Sequence, residues 1–191
     1  MNIIINSILT SIIIVIALTL IGYLMGVIKK YITKFLGKIV GRNLALVFVN
    51  RITFIGTVIH ELSHALFATL SGAQVTKVKL LEFRGNTLGS VEYIPRGNFI
   101  TKSVQHTLSA YAPVVCGILL EWLLIFKVGY SSNIWVNILK IYAMLSILLH
   151  MTMSKQDIKM CLKGLPICIL LITSITYIFR LDIVLNQIIT I

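Results

Sequence analysis

Residues 56–70 read GTVIHELSHALFATL, and the reading of this stretch decides the fold. It has no proline and is rich in apolar residues, which predicts a helix. On that helix His60 and His64 stand one turn apart on the same face, where they can hold one metal ion between them. Glu61, beside the first histidine, can reach a water at that metal and take its proton. The helix belongs to a longer apolar run, about residues 44–70, with Arg51 near its start. Three ionisable groups inside such a run are expensive without a function. A pair of ordinary core histidines is the plainer alternative, and for that reason the weaker one.

Composition places this helix in a membrane. The chain has 191 residues, 58% hydrophobic and 12% charged, with a mean hydropathy of +0.97. Soluble domains carry about 25% charged residues. The length leaves room for a single membrane-embedded domain, residues 1–191. A net charge of +11 comes from 17 Lys and Arg against six Asp and Glu. Most of that charge falls between apolar runs, so the expected partner is the lipid bilayer and not nucleic acid. Cys116, Cys161 and Cys168 form no CxxC pair and read as small hydrophobes rather than a disulfide framework. The N-terminus lacks a basic leader and a clear small-residue cleavage site, so it reads as a retained span.

Five segments are apolar enough to cross at about 20 residues per crossing. They cover about residues 3–28, 44–70, 104–126, 134–153 and 161–179. The basic stretch after the first, with Lys29, Lys30, Lys34, Lys38 and Arg42, is expected to lie at the interface. Residues 71–102 change period. Residues 74–83 and 87–94 are rich in β-branched and aromatic residues, and Arg84-Gly85-Asn86 supplies turn chemistry between them, so a β-hairpin is expected. The predicted fold is an all-α polytopic membrane protein of about five transmembrane helices, with a small β-hairpin inserted after the histidine-bearing helix.

A zinc site of the protease type needs three protein ligands and an open position. Span alternation guides the search for the third. The fourth segment runs in the same direction as the second, so it emerges on the hairpin side, where Ser154-Lys155-Gln156-Asp157 follows. Asp157 is the favoured third ligand. Glu121, inside the third segment, and His150, seven residues before Asp157, are the alternatives. His150 fits a ligand, a partner to a ligand or a group facing the transition state.

The run HELSHALFATLSGAQVTKVKLLEF at 60–83 resembles the site-2 protease-like intramembrane zinc metalloproteases. The likeness extends through NTLGSVEY at 86–93 and Ala110-Tyr111-Ala112-Pro113, and covers about residues 44–165. It implies that His60 and His64 bind Zn2+, that Glu61 is the catalytic base, and that Asp157 takes the place of the family's aspartate. That aspartate commonly stands in an Asn-Pro…Asp-Gly context; here it stands in Ser154-Lys155-Gln156-Asp157-Ile158, with neither proline nor glycine. The resemblance also implies a compact, divergent branch in a bacterial cell membrane, with no PDZ-like insertion and an active site facing the cytoplasm. Basic residues themselves divide almost evenly between the two sides and do not set the orientation.

The expected function is zinc-dependent hydrolysis of peptide bonds in a membrane protein or peptide substrate. Two alternatives stand beside it. One is a prenyl-protein-type membrane metallopeptidase with a glutamate as third ligand. The other is a non-catalytic adaptor or immunity-type protein. The hairpin either pairs with an extended substrate or merely caps the site. Pro113 can loosen the third segment near the site, although membrane helices also tolerate proline without such a role.

Overall fold

A computed structural model describes residues 3–81 and 89–180. In chain order it contains α1 (Ile3–Val40), α2 (Arg42–Val47), a π-helical turn (Phe48–Ile52), α3 (Phe54–Leu70), β1 (Gln74–Lys79), β2 (Ser90–Ile94), α4 (Phe99–Phe126), α5 (Ile134–His150) and α6 (Lys155–Phe179). The helices α1, α4 and α6 are long and apolar enough to cross a membrane, which is compatible with a membrane protein.

The other two expected spans take different forms. Helix α3 and the segment before it bend by 57° at Thr53, so they make a fourth crossing only if the bent pair is one span. Thr53 stands at φ −92° and ψ 38°, outside the helical region, and its carbonyl accepts from Ser146 Oγ at 2.8 Å as well as from Gly56 N at 3.2 Å. Helix α5 has 17 residues. At 1.5 Å per residue that is about 25 Å, short of the roughly 30 Å hydrocarbon core. The basic stretch does not form a separate surface helix. No residue there breaks the helix, so α1 continues through the lysines until Gly41, whose φ of 85° stops it.

Helices α3 and α5 run parallel, as span alternation predicts. Tyr142 donates to the Ile52 carbonyl at 2.6 Å, Gly56 N donates to Ser146 Oγ at 2.8 Å, and His60 Nδ1 lies 2.7 Å from the His150 carbonyl. Each pair is 90 residues apart in sequence, which is the signature of two helices locked in parallel register. Gly56 permits the approach. A Cβ there would stand 2.6 Å from His150 Nδ1 and 2.7 Å from the Ser146 carbonyl carbon.

After His150 the chain leaves the helix. Residues 151–154 are non-helical, and Met153 N donates to the Gly22 carbonyl of α1 at 3.2 Å. Two glycines accept the two methionines of this segment. A Cβ on Gly22 would meet Met153 Cγ at 2.6 Å, and one on Gly117 would meet Met151 Cγ at 2.5 Å. Both methionines join Val15, Ala110, Tyr111, Val114 and Cys161 in the buried core. Cys116, Cys161 and Cys168 are free.

The hairpin is antiparallel, pairing Val75 with Tyr93, Val78 with Val91 and Lys79 with Ser90, with a bulge between Val75 and Lys77. Its described strands are shorter than the sequence segments, and the expected Arg84-Gly85-Asn86 turn lies outside the described residues. Gln105 of α4, almost fully buried, pins the base of the hairpin. Its Nε2 donates to the Ser71 and Arg96 carbonyls at 3.1 Å each, and its Oε1 accepts from Arg96 N at 2.9 Å. Such a side chain satisfies three main-chain groups at one corner.

Candidate metal centre

His60 and His64 of α3 and Asp157 of α6 converge. One ligand atom from each lies within 4.8 Å of the others. The two Nε2 atoms are 3.1 Å apart, and His64 Nε2 is 3.7 Å from Asp157 Oδ1. A tetrahedral site with bonds of 2.0–2.1 Å separates its ligand atoms by about 3.3 Å, a value these two distances bracket.

The orientation of the rings tests the fit more sharply. His60 Nδ1 faces the His150 carbonyl at 2.7 Å, and His64 Nδ1 faces the Ser109 carbonyl at 2.8 Å. A carbonyl oxygen only accepts, so each neutral ring carries its proton on Nδ1 and presents a lone pair at Nε2. Two lone pairs facing each other at 3.1 Å repel, and a cation between them removes the repulsion. The three residues can therefore hold one metal ion.

Both carbonyls are ones that their helices leave available. Pro113 is four residues after Ser109 in α4 and has no N–H to give it, so the Ser109 oxygen is free for His64. His150 is the last residue of α5, where helical carbonyls lack partners; its oxygen also accepts from Thr152 N at 2.8 Å. One ring is thus set by a proline and the other by a helix end.

Asp157 is held by the start of α6. Ser154 Oγ accepts from Asp157 N at 3.1 Å, and Asp157 Oδ2 accepts from Ser154 N at 2.7 Å, a reciprocal cap. The second carboxylate oxygen, Oδ1, is the one that faces His64. The serine cap thereby fixes the carboxylate at the start of α6.

Glu61 lines the same cavity of about 440 Å³ as His60, His64 and Asp157. Gly89, just before β2, closes over it: a Cβ there would meet Glu61 Cγ at 2.5 Å and Oε1 at 3.0 Å. Tyr93 of β2 also lines the cavity, with its hydroxyl 3.2 Å from His106 Nδ1 and 3.4 Å from Met160 Sδ. Burial raises the pKa of this phenol above the ordinary tyrosine value.

The other two candidates stand apart from the ligand set. Glu121 is buried in α4, outside the cluster, with Oε1 lacking a partner among the described residues. His150 contributes its main-chain oxygen to His60, while its own Nδ1 faces the Ser146 carbonyl at 3.0 Å. Sequence reasoning passed over Ser109, Ser154, Gly89 and Tyr93. Two of them carried a signal: Ser109 precedes Pro113 by four, and Ser154-Lys155-Gln156-Asp157 has the spacing of a helix cap.

Compared with known protein families, curated proteins and solved structures, the chain matches none of them.

Proposed function

We propose that this chain is a zinc-dependent intramembrane endopeptidase that cleaves membrane proteins or peptides, with its site opening toward the cytoplasm. The observation that carries the reading is one cavity lined by His60, His64, Asp157 and Glu61. Two imidazoles and one carboxylate make a zinc ligand set that leaves a fourth position open. Zinc held there supplies Lewis acidity, which lowers the pKa of a water toward about 7. Glu61 is next to His60 and faces the same space, so it is placed to take the proton of the attacking water and return it to the leaving amine. The carbonyls of His150 and Ser109 keep both histidines in the ligating tautomer throughout. Gly89 keeps the strand next to Glu61 without displacing it.

The test compares membrane-proteome N-termini in cells producing wild type or Glu61→Gln at equal levels, with zinc content measured on both purified proteins. The reading requires new N-termini that depend on Glu61 while zinc stays bound in the variant. Identical N-termini in the two strains would overturn it.

A further inference from the structure

We propose that Tyr93 is a catalytic residue of this site, its hydroxyl donating a hydrogen bond to the oxyanion that forms as the scissile carbonyl is attacked. The inference rests on the hydrolytic reading above. Tyr93 lies on β2 and lines the cavity together with Glu61, His64 and Asp157. Among the described residues lining that cavity, Tyr93 has the one phenol.

Its present partners are a thioether, an imidazole and a hydroxyl. The hydroxyl lies 3.2 Å from His106 Nδ1, at the long end of the hydrogen-bond range, and 3.4 Å from Met160 Sδ, and the Ser109 hydroxyl also stands beside it. A thioether is a poor acceptor, and a neutral imidazole or hydroxyl carries no charge. Any resting position of the phenol proton is therefore readily exchanged for a developing oxyanion, because charge-assisted hydrogen bonds are about twice as strong as neutral ones. The tilted ring of His106, with centroids 5.9 Å apart, supports the phenol from the side of α4 and limits its swing. Hairpin and helix are joined at this corner by Gln105, so the donor sits on a braced element.

The step is balanced within the site. The water oxygen bonds to the carbonyl carbon, its proton passes to Glu61, and the carbonyl electron pair moves onto the oxygen that Tyr93 faces. On collapse that pair re-forms the carbonyl, the C–N bond breaks, and the amine leaves with the proton from Glu61.

The experiment compares Tyr93→Phe with wild type on a peptide cleaved in a Glu61-dependent manner and on a peptide phosphinate, whose tetrahedral anion mimics the oxyanion. Loss of one such donor costs about 100- to 1,000-fold in kcat, so that drop is expected, with KM and zinc content unchanged. Phosphinate affinity should fall by a similar factor, because only the transition-state-like anion uses the hydroxyl. If Tyr93→Phe stays within about threefold of wild type on both readouts, the proposal is wrong while the protease reading stands. If no peptide is cleaved in a Glu61-dependent manner and wild type does not bind the phosphinate, the hydrolytic reading falls and the role of Tyr93 falls with it.

Discussion

Gly56→Ala is the sharpest probe of how the metal site is built. The new Cβ would lie 2.6 Å from His150 Nδ1 and 2.7 Å from the Ser146 carbonyl carbon. A main-chain carbonyl has no rotamer with which to yield. The Ser146 carbonyl oxygen would be closer still, so reaching an ordinary contact of roughly 3.5 Å asks the α3 and α5 backbones to part by more than about 0.8 Å. The bond from Gly56 N to Ser146 Oγ, now 2.8 Å, would stretch beyond about 3.6 Å, and that from His60 Nδ1 to the His150 carbonyl, now 2.7 Å, beyond about 3.5 Å. Overpacking of this kind costs about 1–3 kcal/mol, and a lost hydrogen bond about 1 kcal/mol more. A histidine ligand without its orienting partner loses about 10- to 100-fold in metal affinity. The assays are thermal unfolding in detergent and zinc titration against a competing chelator. Gly26→Ala is the control, since the nearest atom to its Cβ would be Thr152 Cβ at 4.0 Å. That change should be neutral or stabilising by about 0.4–1 kcal/mol. A Gly56→Ala protein with wild-type zinc affinity and midpoint would refute the locked register.

Three further outcomes are expected. Asp157→Asn should keep a cap on α6 but weaken zinc binding, whereas Ser154→Ala should cost about 1 kcal/mol of stability and weaken zinc less, as chelator competition and melting would separate. Pro113→Ala returns an N–H to the Ser109 carbonyl; zinc affinity should fall by about tenfold with an unchanged or higher midpoint, and equal affinity would show the free carbonyl to be incidental. Gln105→Leu leaves the Ser71 and Arg96 carbonyls and Arg96 N without this partner, so hydrogen exchange should rise across residues 71–81 and 89–96 by the equivalent of about 1–3 kcal/mol, while zinc content stays at wild type.

The helix that carries His60 and His64 was legible from its apolar, proline-free run and four-residue spacing, and span alternation favoured Asp157 over Glu121 and His150 as the residue brought to it. The long apolar helices and a hairpin at 71–102 were legible for the same reason, because period and length are local properties. The bend at Thr53 was not. The Ile52 carbonyl and Gly56 N, which a continuous helix would pair, go instead to Tyr142 and Ser146, each 90 residues away. The early end of α5 was also hidden. Nothing in residues 151–153 themselves stops a helix, and the glycines at 22 and 117 make room for their two methionines outside one. Proline at 113 read as a source of looseness, whereas in the fold it frees one particular oxygen.

Both histidines are aimed by main-chain oxygens, and every residue type carries one. Substitutions at positions 109 and 150 therefore leave the aiming oxygens in place as long as the helices keep their path. A shift of phase is different. One residue inserted in α5 between Ser146 and His150 would turn the His150 oxygen by about 100° and move it 1.5 Å along the axis. The centre is written in helix phase more than in side-chain identity, so its neighbours are free to drift in sequence while the count of residues between them is not.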